Sequence, residues 1–206
     1  MTNLESYTQG YIPKINPKRP APPEVLWQII ALPVDYVDYQ GKNRQGVIEV
    51  NQAVAEDVKD FFALALEIGF PIDKVVKSSD PEYGWDDGKL TADNTSSSFN
   101  YRLIKDTDRV SWHGLGTALD INTRTNPYIR FVDATEGIDP DGTVHRLNGV
   151  KIVEPEGAEY DSNAPGALTT DHPLVMRLKE RGWIWGGDWT EDEKGVIDYQ
   201  HLEKHI

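Results

Sequence analysis

The chain has 206 residues, of which 38% are hydrophobic and 10% aromatic, and this length and composition fit one domain with a substantial core. Its formal net charge of −13 argues against nucleic acid as a partner and against polybasic binding to anionic membranes. Cysteine is absent, so thiolate zinc sites and disulfides are excluded, and any metal must be bound by His, Asp or Glu.

No apolar run approaches the roughly 18 residues of a membrane span, and the N-terminus lacks the basic and apolar regions of a secretory signal. We therefore expect synthesis in the cytoplasm without membrane insertion. A target outside the cell would have to be reached by another route.

The first third of the chain predicts an arm, a hairpin and a helix. Residues 1–24 contain five prolines and are predicted to be an extended arm, with residues 25–206 as the folded domain. Alternating apolar residues between Val34 and Val50 predict a hairpin. A 3.6-residue apolar period predicts a helix that Asn51 caps and that ends at Gly69.

The rest of the chain predicts short strands and one further helix. Because helices and strands do not alternate as in a parallel sheet, we predict an α+β fold with a small antiparallel sheet. The predicted elements are a loop over 78–98, strands over 99–104, 118–121, 183–189 and 196–202, a hairpin around Asn148 and Gly149 within the acidic stretch 132–170, and a helix that Asp171 caps and that ends at Gly182.

Two motifs carry the candidate chemistry. Residues 111–120 read SWHGLGTALD and contain His113 and Asp120, whereas residues 198–201 read DYQH and contain Asp198 and His201. Two imidazoles and one carboxylate leave a tetrahedral zinc ion one open position, which can hold a reactive water. A further carboxylate could accept the proton of that water. The motifs therefore predict a zinc hydrolase.

The identity of that proton acceptor is open on local geometry. Residues three apart in a strand face opposite sides, so Asp198 would approach His201 only if the chain bends. Glu203 lies two residues from His201 and would share its face. Both carboxylates are therefore candidates.

The neighbours of the first motif favour a functional interpretation. Small residues at Gly114, Gly116 and Ala118 would let the backbone pass close to a metal and a bound peptide. Leu119 and Ile121 would turn Asp120 away from the core.

Other polar and aromatic residues have two interpretations. Arg102 pairs with surface carboxylates or stabilises negative charge on a substrate carbonyl. The tryptophans of 183–189 belong to the core or to a cleft wall, where Asp188 would support a ligating imidazole. His145, His172 and His205 are predicted to be solvated rather than ligating.

The pattern Ser-x-His-x-x-Gly-x-Ala-x-Asp followed by Asp-x-x-His resembles the zinc D-alanyl-D-alanine carboxypeptidases of the M15 family, which cut D-amino-acid-containing bonds of peptidoglycan. Residues 94–102, 122–128 and 185–189 resemble the endolysin-like branch that contains L-alanyl-D-glutamate endopeptidases. The resemblance covers most of residues 34–203.

The resemblance implies the compact α+β fold of these enzymes, a hedgehog-like zinc peptidase fold, over residues 25–206. It implies one catalytic zinc ion and selects Asp198 over Glu203 as the acid/base. The implied site residues are His113, Asp120 and His201 on the metal, Asp198 and Arg102 in catalysis, and Ser111, Trp185 and Asp188 towards the substrate.

An aspartate at the acid/base position, in place of the glutamate of the carboxypeptidase and dipeptidase branches, favours an endopeptidase. The expected function is hydrolysis of the L-alanyl-D-glutamate bond in peptidoglycan stem peptides by a monomer, either at the wall after lysis or in the cytosol. A D-alanyl-D-alanine carboxypeptidase is the second expectation, and a non-catalytic metal-binding or peptidoglycan-binding module is the third.

Overall fold

The computed structural model describes residues 11–104, 107–132, 135–138, 144–147, 150–189 and 195–206. Within them, short helices and small sheets confirm the α+β class. The helices are α1 (Pro23–Leu26), α2 (Ala55–Glu67), α3 (Asp87–Ala92) and α4 (Pro173–Glu180), and the strands are β1 (Ile29–Val37), β2 (Asn43–Asn51), β3 (Lys74–Val75), β4 (Thr95–Ser96), β5 (Ala118–Asp120), β6 (Tyr128–Val132), β7 (Thr135–Ile138), β8 (Val144–Leu147), β9 (Val150–Glu154), β10 (Ile184–Trp185), β11 (Val196–Asp198) and β12 (His201–Glu203).

The main core lies between α2 and the β1–β2 hairpin. The two strands pair antiparallel from Ile29–Asn51 to Val37–Asn43, so the predicted hairpin is present and is longer than expected. Asn51 Oδ1 accepts a hydrogen bond from the Ala53 N–H, and one 3₁₀ turn then leads into α2. Each large apolar side chain buried in this core contributes about 1.5–3 kcal/mol.

Two three-stranded sheets carry the C-terminal half, in the orders β10–β12–β5 and β11–β6–β9. The single strand predicted over 196–202 is therefore wrong, because β11 and β12 belong to different sheets and the chain bends at Tyr199 and Gln200. The predicted strand over 183–189 is also shorter, since β10 has two residues and a 3₁₀ turn follows at Gly186–Asp188.

The polar segment before the first motif differs from its prediction. Residues 78–98 contain α3, whose cap Asp86 accepts a hydrogen bond from the Lys89 N–H. Among the described residues, the predicted strand over 99–104 makes one bridge, from Leu103 to Val110. Instead, the Asn100 N–H donates to the His113 carbonyl at 3.0 Å, which ties this extended segment to the first motif.

In the acidic stretch 132–170, the predicted hairpin around 148–149 would pair β8 with β9, but each of these strands pairs with another strand. β6 pairs with β9 and β7 pairs with β8, so the strands on either side of 148–149 have different partners. Asn148 and Gly149 themselves lie outside the described residues.

The second long helix begins one residue later than predicted. Its cap is His172, whose Nδ1 accepts a hydrogen bond from the Leu174 N–H, whereas Asp171 accepts one from the Thr169 hydroxyl. The domain boundary at residue 24 stays a prediction. No helix among the described residues has the length and apolar character needed to span a bilayer.

Candidate metal centre

Asp120 and His201 are cross-strand neighbours. β5 and β12 pair antiparallel, with Asp120 opposite His201 and Leu119 opposite Leu202. Both leucines are fully buried in the core, so the alternation of side chains places Asp120 and His201 together on the other face. Asp120 Oδ1 lies 3.2 Å from His201 Nδ1.

His113 reaches the same point from a 3₁₀ turn. Ser111 begins this turn by accepting a hydrogen bond from the His113 N–H, and Gly116, with a φ of 68°, ends it. His113 Nε2 lies 3.2 Å from Asp120 Oδ1 and 3.1 Å from His201 Nδ1. The structure therefore brings the three predicted ligands together.

Neighbouring groups fix the protons of both imidazoles. His113 Nδ1 lies 2.8 Å from the Ser98 carbonyl, which can only accept, so this nitrogen carries the proton. His201 Nε2 donates to Glu203 Oε2 at 2.9 Å. In the neutral rings, the lone pairs of His113 Nε2 and His201 Nδ1 then face Asp120 Oδ1. Three lone pairs directed at one point repel one another, and a cation between them would relieve this repulsion.

The spacing of these atoms fits a small divalent ion. A tetrahedral ion with bonds of about 2.0–2.1 Å separates its ligand atoms by about 3.3–3.4 Å. The three observed separations are 3.1, 3.2 and 3.2 Å. Without a cation, burial lowers the pKa of His201, but hydrogen bonds to the carboxylates of Asp120 and Glu203 raise it to about 10. The His-Asp-His cluster can thus hold a metal.

Asp198 lies at the end of β11 beside the cluster. Its Oδ1 is buried and has no hydrogen-bond partner among the described residues. Burial raises the pKa of Asp198 to about 7, and Asp120 adds to this, although His201 and Arg102 oppose it. A carboxyl group with a pKa near neutrality can both accept and deliver a proton.

Close packing sets the position of Asp198. A Cβ on Gly186 would lie 2.5 Å from the Asp198 carbonyl oxygen, so only glycine fits there. The bend at Tyr199 and Gln200 lets Asp198 and His201 line the same cavity, although they are three residues apart.

Glu203, the rival proton acceptor, also lines this cavity, but both of its carboxylate oxygens are engaged. Its two carboxylate oxygens accept hydrogen bonds from His201 Nε2 and His205 Nε2, both at 2.9 Å. Burial raises the pKa of Glu203, but the two imidazoles outweigh this and lower it. Glu203 therefore orients the His201 ring. His205 is exposed, as predicted, while its ring forms a hydrogen bond to Glu203 and stacks on Trp112 with ring centroids 4.2 Å apart.

The cavity beside the cluster has a volume of about 350 Å³. Most of the site residues that we predicted from the sequence line this cavity. Among those lining it are His113, Asp120, Asp198, His201, Arg102, Ser111, Tyr128, Arg130, Glu154 and Trp189.

Trp185 and Asp188, predicted to face the substrate, do not line this cavity. Trp185 is 2% exposed, and its indole N–H donates to the Tyr199 carbonyl, so the ring belongs to the core. Asp188 pairs with Lys179 at 2.5 Å and accepts a hydrogen bond from the Thr170 hydroxyl. Trp189 lines the cavity instead, with its ring 5.6 Å from that of His201.

The glycines of the first motif serve chain packing rather than access to the metal. A Cβ on Gly114 would meet Val110 at 2.7 Å, and one on Gly116 would lie 2.8 Å from the Asn51 backbone nitrogen. The expectation that they make room for a metal and a peptide is therefore wrong.

An α+β domain with a His-Asp-His cluster and a carboxyl group of near-neutral pKa in one cavity has the components of a metal-dependent hydrolase. Residues 105–204 match the family model described as D-alanyl-D-alanine carboxypeptidase. This match confirms the resemblance to the M15 family that the motifs indicate. No curated protein and no solved structure matches the chain.

Proposed function

We propose that the chain is a zinc-dependent peptidase of peptidoglycan stem peptides, with L-alanyl-D-glutamate endopeptidase as its main activity. Residues 25–206 would form the catalytic domain, with the fold of the M15 peptidases. The observation that carries the proposal is the position of Asp198, which lies in the same cavity as three converging metal-ligand atoms. A module that only binds a metal would not need this carboxyl group.

His113, Asp120 and His201 would hold the ion. When bound there, a zinc ion would supply Lewis-acid polarisation of the scissile carbonyl and would lower the pKa of a water towards about 7. Asp198 accepts a proton from the attacking water and later delivers one to the leaving amine. Arg102 lines the cavity and stabilises negative charge that develops on the carbonyl oxygen.

Endopeptidase activity is preferred because the acid/base is an aspartate, as in the branch that the flanking segments resemble. Carboxypeptidase activity is the second candidate, since the matching family is described by that activity. A carboxypeptidase needs a cation for the terminal carboxylate of its substrate. Arg102 and Arg130 both line the cavity and could provide it.

Product analysis separates these activities. Purified muropeptides are digested with the zinc-loaded protein, with and without a chelator, and the products are identified by mass spectrometry. Cleavage between L-alanine and D-glutamate supports the proposal, whereas loss of single D-alanine residues identifies a carboxypeptidase. Absence of any chelator-sensitive cleavage would refute both.

Asp198→Asn tests the assigned proton transfer. We expect kcat to fall by about 10²–10⁴-fold, because the amide cannot accept the proton. Zinc stoichiometry should stay at the wild-type value, since Asp198 is not among the three ligands. Wild-type kcat in this variant would contradict the role of Asp198.

A further inference from the structure

A strip of polar residues lies beside His113 on the wall of the cavity. It consists of Asp87, Ser98, Asn100 and Arg102, all of which line the cavity. The Ser98 carbonyl holds the His113 ring, and the Asn100 N–H donates to the His113 carbonyl at 3.0 Å. The polar strip is therefore fixed relative to the metal cluster.

The orientation of the Asn100 amide is determined by Asp87. Asn100 Nδ2 donates to Asp87 Oδ1 at 2.6 Å, so the amide carbonyl is the group that remains available. Asn100 is 3% exposed, and its Oδ1 has no hydrogen-bond partner among the described residues. A buried acceptor of this kind is costly unless something donates to it.

The second oxygen of Asp87 forms an ion pair with Arg102 Nε. One carboxylate thus holds both an acceptor, Asn100 Oδ1, and a donor, the Arg102 guanidinium. An extended peptide offers the complementary groups, because each unit carries one N–H and one C=O.

We propose that Asp87 is a positioning residue that holds Asn100 and Arg102 as an acceptor–donor pair for the substrate backbone. Asn100 Oδ1 accepts a backbone N–H of the peptide, and Arg102 donates to a carbonyl oxygen. The inference rests on the proposed peptidase function, since it assigns the peptide-binding part of the same cavity.

Asp87→Asn and Asn100→Ala are the test variants, and Asp86→Asn is the matched control. Asp86 lies next to Asp87, is exposed, and caps α3 through Lys89. Asparagine caps a helix as well as aspartate does, so the control removes the same charge without disturbing the helix. Asp87→Glu tests whether a carboxylate restores function.

For Asp87→Asn we expect kcat to fall by about 10- to 100-fold, somewhat less than the loss of a complete oxyanion donor. KM should change much less, because Arg102 acts mainly in the transition state. Zinc content and thermal midpoint should equal those of Asp86→Asn, and Asp87→Glu should recover part of kcat. For Asn100→Ala we expect kcat/KM to fall about tenfold, as for one lost hydrogen bond.

A set of peptides in which each backbone N–H is methylated in turn provides a readout that a merely structural role would not change. Wild type should lose activity strongly for methylation at one position near the cleaved bond. Asn100→Ala should tolerate methylation at that position and should respond like wild type to methylation at the other positions. Discrimination equal to wild type in Asn100→Ala, or wild-type kcat in Asp87→Asn, overturns the inference while leaving the proposed function in place. If wild type itself shows no chelator-sensitive cleavage, the proposed function and the inference both fail.

Discussion

Glu203→Gln should weaken zinc binding without altering the three ligands. Glu203 is 7% exposed and accepts hydrogen bonds from both His201 and His205. Its carboxylate therefore supports the lone pair that His201 would present to a bound zinc ion. Glutamine keeps the size of the side chain and one acceptor oxygen, but it removes the negative charge.

The expected loss of zinc affinity depends on whether each variant keeps the hydrogen bond to His201 Nε2. Partners of ligating imidazoles contribute about 10–100-fold to metal affinity, which corresponds to about 1.4–2.7 kcal/mol. Glu203→Gln can still accept from His201 Nε2, so we expect a loss near tenfold. Glu203→Ala leaves that buried N–H without its partner, so we expect a loss near 100-fold.

Competition with a chromophoric zinc chelator at fixed pH measures the change in Kd. Asp188→Asn is the control, because the sequence proposed Asp188 as the partner of an imidazole, whereas the structure pairs it with Lys179. Its zinc affinity should equal that of wild type. A Kd for Glu203→Ala within twofold of wild type would refute the reasoning, as would an equal loss in Asp188→Asn.

Two further variants test the framework around the site. Asp57→Ala should destabilise the fold by about 2–3 kcal/mol in denaturant titrations, because it removes charged hydrogen bonds to Lys204 at 2.8 Å and Trp183 at 2.9 Å. Burial raises the pKa of Asp57, but these partners lower it below its usual value of 3.8. The stabilisation of the fold by Asp57 is therefore present at neutral pH and should be lost as the pH falls below about 4. An equal destabilisation by Asp57→Ala at pH 3 and pH 7 would contradict this. Gly186→Ala should lower kcat at least tenfold while zinc binding stays intact, because the new Cβ displaces Asp198; unchanged kcat would show that the contact relaxes elsewhere.

The sequence alone predicted the ligand types and the local faces of the site. Absence of cysteine restricted any metal to His, Asp and Glu, and the apolar neighbours Leu119 and Ile121 placed Asp120 on the face away from the core. Both conclusions depend on composition or on the two-residue period of a strand, which neighbouring residues reveal. The α+β class and the first hairpin and helix followed from similar short-range patterns.

Only the tertiary structure decided which distant groups meet. Asp120 and His201 are 81 residues apart and become neighbours through the register of β5 and β12. The bend at Tyr199 and Gln200 brings Asp198 beside His201, whereas in an unbroken strand only Glu203 would share the face of His201. The contacts of Asp87 depend on a segment that the sequence predicted as loop. Strand register, chain bends and loop packing arise from the whole core, so no local pattern in the sequence specifies them.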